Sequence, residues 1–149
     1  MLLQKALFFI FLFCFLSCQN THHTTYTNPI DSLSVLLNQD SLDIDLLNSR
    51  AKLYFNSNQL HLAKKDIDKS YYIFKNDVNL LLNRGDIYYA LNKTRIAKES
   101  WERCLKIDPN QLDCRQKLTE LLCAVRSPNC KSMIDTIVLI NRGVLSPSL

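Results

Sequence analysis

Glycine is scarce, with two residues in a chain of 149. Tight turns at positive φ and close backbone approach to a phosphate both depend on glycine. Glycine-rich nucleotide loops and hairpin-rich β folds are therefore disfavoured. Runs of one charge are also missing. The 18 Lys+Arg and 14 Asp+Glu give a formal net charge of +4, and nowhere do five like charges stand together. A nucleic-acid partner would call for a basic stripe, so none is expected. The longest apolar run, Ala6 to Leu16, has eleven residues. A helix of that length crosses only about half of a ~30 Å bilayer core. No HExxH, nucleophile elbow, phosphate loop or CxxC is present, so no enzyme, cofactor or metal centre is expected. What remains is mixed in charge and rich in Leu, Lys, Asn and Asp, of a size for one all-α domain.

The start of the chain differs from the rest. One positive charge within Met1–Lys5, the apolar run, and then Phe15-Leu16-Ser17-Cys18 follow in order. This resembles a bacterial lipoprotein signal, with Phe15 where leucine is usual. The resemblance implies a signal peptide over 1–17 and a lipid on Cys18, which becomes the N-terminus and holds the protein to a membrane. It also implies the bacterial cell envelope, with the outer membrane facing the periplasm as the expected place. The polar, nearly uncharged stretch that follows completes a tether over 18–28. His22 and His23 lie in it. With the cysteines they support a competing reading, a thiol-disulfide or metal-handling envelope protein.

The body of the chain repeats itself. Shifting 44–77 onto 78–111, by 34 residues, gives nine identities: Leu46/Leu80, Leu47/Leu81, Arg50/Arg84, Tyr54/Tyr88, Asn58/Asn92, Ala63/Ala97, Lys64/Lys98, Ile73/Ile107 and Asn76/Asn110. Roughly two or three would arise by chance in such a composition. Leu47, Ala51 and Tyr54 are spaced to share one helix face, as are Leu81, Gly85 and Tyr88. Small residues there let two helix backbones approach closely. The period and these positions resemble the tetratricopeptide repeat, whose second helix is matched by Ala63, Ile67, Ser70 and by Ala97, Trp101, Cys104. Pro109 closes the second unit, and Lys75 stands at that place in the first. The resemblance implies a short α-α superhelix of helix pairs.

A single unit cannot cover its own apolar face, so caps are expected at both ends. Pro29 opens a helix carrying Leu33, Leu36 and Leu37. A partial repeat over 112–142 ends in a helix spanning 128–142, with Ser127 as N-cap and Gly143 as its stop. The domain thus runs over 29–143, followed by a tail over 144–149. The carboxylates among Lys64, Lys65, Asp66, Asp68 and Lys69 are expected on solvated outer faces.

In the resembling family the first helices line a groove for a protein or peptide partner. The positions facing it here are Asn48, Lys52, Phe55, Asn79, Leu82, Asn83, Asp86, Tyr89, Gln116 and Lys117. Phe55, Leu82 and Tyr89 are expected to form an exposed apolar strip. Asn83 stands where relatives that clamp a peptide carboxylate carry asparagine, and Lys117 matches that clamp in part. The cysteines beyond the leader, Cys104, Cys114, Cys123 and Cys130, are disulfide candidates in an exported protein. Four cysteines allow three connectivities. Pairing across the two short turns competes with a reduced Cys104 filling a small core position.

Overall fold

The computed structural model describes residues 28–143. Among them are seven helices and no strand: α1 (Pro29–Gln39), α2 (Ile44–Asn56), α3 (Leu60–Ile73), α4 (Val78–Ala90), α5 (Thr94–Ile107), α6 (Leu112–Ala124) and α7 (Cys130–Asn141). None of these helices is long and apolar enough to cross a membrane. The segment 1–17, Cys18, His22, His23 and the tail 144–149 lie outside the described residues.

Each helix packs on the next, most densely within the hairpins α2/α3 and α4/α5. The first helix of each unit is capped in step. Asp43, Asp77 and Gln111, spaced by 34 residues, accept side-chain hydrogen bonds from the backbone N–H of Leu46, Leu80 and Asp113. These bonds satisfy amides that the helix itself leaves without partners. The turns at the far ends match too. Asn58, Asn92 and Arg126 adopt φ of 58°, 59° and 53°. Each donates its N–H to the carbonyl three residues back, while the next residue bonds to the carbonyl five back. The left-handed turn suits asparagine and strains arginine, whose Cβ crowds the following carbonyl. Arg126→Gly is therefore expected to raise stability by about 0.5–1 kcal/mol, measured by urea unfolding.

Inside the hairpins, small residues and one large ring interlock. Ala51, Ala63, Ala97, Ile67, Leu81 and Trp101 are all buried in one cluster. The Trp101 indole lies flat on the backbone of Gly85. A Cβ built there would stand 2.5 Å from Trp101 Cδ1 and 2.6 Å from Cε2. Arg50 and Arg84 occupy matching places. Arg50 pairs with Asp66 through Nε at 2.6 Å and through its terminal nitrogen at 2.9 Å. Arg84 bonds to Ser100 at 2.7 Å and sits between the rings of Tyr71 and Tyr88, 4.1 and 4.9 Å from their centroids. Between units, the Tyr88 hydroxyl donates to Asp68, which also holds Lys64.

Two expectations are corrected. Asp66 is only 4% exposed and Asp68 is half-buried, so neither belongs to a solvated outer face. Both are turned inward by partners on neighbouring helices, Arg50 and Tyr88. The last helix begins at Cys130, two residues later than 128. Ser127 does not cap it, because its hydroxyl accepts from Asn129 N and closes a local turn instead. None of the α7 residues is buried, and Ile134, Val138 and Leu139 face solvent.

Two disulfides join Cys104 to Cys114 and Cys123 to Cys130, with Cα separations of 6.5 and 4.8 Å. They close loops of ten and seven residues. Such short loops restrict the unfolded chain by about 2–3 kcal/mol each.

Candidate functional site

The first helices α2, α4 and α6 stand side by side, and a polar strip crosses them. Lys52 Nζ donates to Asn83 Oδ1 at 3.2 Å, and Asn83 Nδ2 donates to Asn48 Oδ1 at 2.8 Å. The amide of α4 is thus gripped from α2 by a cation at one end and an amide oxygen at the other. One turn further along α4 lies Asp86. Burial pushes its carboxyl above the usual range, against the pull of Lys117 from α6 and Lys52 from α2. The Trp101 indole is near enough to favour the carboxylate, while Asp113 across the strip opposes it. Neither Asp86 Oδ1 nor Trp101 Nε1 closes a hydrogen bond, although both atoms are buried. Buried polar groups are normally paired, so an orphan acceptor and an orphan donor in one place single it out.

The candidate residues separate into three groups. Asn48, Lys52, Asn83, Asp86 and Lys117 come together in this strip. Asn79 and Gln116 are exposed on the same helices, outside the hydrogen-bonded chain. The expected apolar strip is not formed. Leu82 is buried in the core at 9% exposure, and Phe55 is half-buried against the same core. The reason lies in the position of α4. As a middle helix it is covered by α2, α3 and α5, and seven of its thirteen residues are buried. A stripe that an end helix would leave open is filled here by neighbours. Tyr89, next to last in α4, escapes this cover at 45% exposure and leans on Trp101 with ring centroids 5.7 Å apart. Asn83, 9% exposed, is likewise more enclosed than a freely facing groove residue.

Asp113 was not among the candidates. It is an exposed residue in the first turn of α6, and its charge reaches Asp86. The signal was available, since Asp113 follows Asn79 by one repeat of 34. Among the described residues, no group of three or more His, Cys, Asp or Glu is placed to hold a metal ion.

Residues 78–111, the second unit, match the family model for the tetratricopeptide repeat. No curated protein matches the chain. Among solved structures, the chain is similar to the first TPR of Spaghetti (RPAP3) bound to the HSP90 peptide SRMEEVD. The identity is 26%, over 66% of this chain and 78% of that one, with a TM-score of 0.62. It is also similar to the first TPR domain of the human RPAP3 protein, at 25% identity over 65% and 76% of the two chains, with a TM-score of 0.61. The architecture of the described residues is a tetratricopeptide-like helical repeat.

Proposed function

We propose that the chain is a scaffold that holds an extended peptide segment of a partner protein along α2, α4 and α6. The observation that carries this reading is the polar strip from Asn48 and Lys52 through Asn83 and Asp86 to Lys117. It sets two ammonium groups and two amides beside a carboxylate, polar groups of both kinds that a peptide backbone can use, and Asp86 Oδ1 makes no hydrogen bond inside the fold. The similar RPAP3 repeat carries a peptide, SRMEEVD, which supports the same use of the architecture here. Lys52 and Lys117 would favour acidic groups at the strip's flanks, and Asp86 would draw a donor to its middle.

Photo-crosslinking residues placed at Asn79 or Gln116, both exposed on first helices, are expected to trap a partner in cells. The same residues at Lys65 or Glu99, exposed on second helices, are expected to trap none. Lys52→Glu with Lys117→Glu should weaken partner binding at least about tenfold, near 1.4 kcal/mol. Equal trapping from both sides of the molecule would reject the reading.

We further propose that this scaffold is displayed in the bacterial envelope on a lipid attached to Cys18. The support is the order of the leader: a basic start, the apolar run, and Ser17 directly before Cys18. Cys18→Ser is expected to release the protein from the membrane fraction or to leave it as uncleaved precursor, as seen by fractionation and intact mass. A variant that stays in the membrane at mature mass would contradict lipid attachment.

A further inference from the structure

The two disulfides share one topology and differ in burial. Each links the C-terminal end of a helix to the N-terminal turn of the next. Cys104 lies in the last turn of α5 and Cys114 in the first turn of α6, while Cys123 is next to last in α6 and Cys130 is first in α7. Cys104 and Cys114 are fully buried in the core. Cys123 and Cys130 are only half-buried. The elements they tie down differ as well. The α6 helix buries Cys114, Leu118, Thr119 and Leu121. The α7 helix buries nothing, and Met133 is its residue packed against the core cluster. Its attachment therefore leans on the covalent bond far more than α6 leans on its own.

We propose that Cys123–Cys130 is a reducible latch, the site at which a dithiol reductant acts, and that its opening frees α7 from α6. The attack has a direction. A thiolate leaving at Cys130 departs onto the first turn of α7, where Asn129 makes no side-chain cap bond and the positive end of the helix favours negative charge. A thiolate leaving at Cys123 would face the carbonyl end of α6, which disfavours it. The reductant thiolate thus attacks Cys123 Sγ, the S–S bond breaks, and Cys130 leaves. A mixed disulfide then joins the reductant to Cys123. The second reductant thiolate displaces Cys123 and closes the reductant's own disulfide. Two electrons pass to the protein, and the two protons given up by the dithiol end on Cys123 and Cys130. The Cys104–Cys114 bond, reached only when the core opens, stays closed.

The test uses the full chain in native buffer, with dithiothreitol as the dithiol and glutathione as a monothiol. Differential alkylation and peptide mass spectrometry follow each cysteine, and hydrogen exchange follows each helix. The expected result is reduction of Cys123–Cys130 at least about tenfold faster than of Cys104–Cys114. Glutathione should add to Cys123 and leave Cys130 as the free thiol. Amides of α7 should then exchange at least about tenfold faster, with those of α2 to α5 unchanged. Cys123→Ser with Cys130→Ser should reproduce that exchange pattern without reductant. Equal reduction rates, a glutathione adduct on Cys130, or unchanged α7 protection would each overturn the latch. So would loss of protection throughout α2 to α5, because the bond would then be a staple of the whole domain.

Discussion

Gly85→Ala is expected to cost about 3 kcal/mol, roughly a 150-fold shift toward the unfolded state. The direction is diagnostic, because alanine in an open helix position is favoured over glycine by about 1 kcal/mol. Here the added methyl would meet the Trp101 ring at 2.5 and 2.6 Å, well inside contact distance. Neither side can yield cheaply, since Trp101 is 1% exposed within the buried cluster and its ring also packs on Tyr89. Trp101 is also the single tryptophan, so its fluorescence reports the event directly. Guanidinium unfolding followed by that signal and by helicity would check the result. A variant as stable as the parent would mean that the indole does not rest on Gly85.

Asp66→Ala is expected to lose about 3 kcal/mol, because it strands the Arg50 guanidinium in a largely enclosed site. The pair is bidentate, and its side chains are 18% and 5% exposed. Ser34 would remain as the hydrogen-bond acceptor of Arg50, at 3.0 Å, with the Tyr54 ring centroid 5.8 Å away. The same position one repeat later offers an internal control. Ser100 holds Arg84 by a single bond, and the Tyr71 and Tyr88 rings supply the rest of that guanidinium's surroundings. Ser100→Ala should accordingly lose only about 1 kcal/mol. Replacing both partners, Arg50→Met with Asp66→Leu, is expected to recover most of the loss, since no charge is then left buried alone. Thermal unfolding of the three variants beside the parent under one set of conditions would decide it. Equal losses at Asp66 and Ser100 would contradict the account of the pair.

The repeat was legible because its physics is local and periodic. Leu47, Ala51 and Tyr54 declare a face by spacing, and Asn58 and Asn92 mark turns that need a left-handed residue. Arg126 continues that turn without looking like it, so the third unit is more regular in backbone than in sequence. The caps Asp43 and Asp77 were equally readable, since as a pair they stand one position before the first aligned pair, 44 and 78. What stayed hidden depends on neighbours that helical periodicity does not report. Asp66 sits in a run of charges that suits a solvated face, and only the placement of α2 against α3 brings Arg50 to it. Leu82 belongs to the stripe beside the packing face, and its burial follows from α4 being a middle helix. For the candidate site, the residue types were visible and their enclosure was not. Asn83 and Asp86 were expected beside an apolar strip, yet they lie between two lysines in a polar one. The pairing of cysteines was open to sequence because spacing made local bonds available while Cys104 also fits a small core position.

Peptide binding across α2, α4 and α6 is what the polar strip is proposed to perform. Its most direct test is chemical-shift mapping of the labelled domain with a heptapeptide selected for binding from a random library. The perturbed side-chain and backbone signals are expected to centre on Asn48, Asn83, Asp86 and Lys117, with the Trp101 indole N–H moving with them. Lys52→Glu with Lys117→Glu is expected to weaken the same peptide at least about tenfold. Perturbations centred on the outer faces of α3 and α5, or on α7, with affinity untouched by that double substitution, would contradict it.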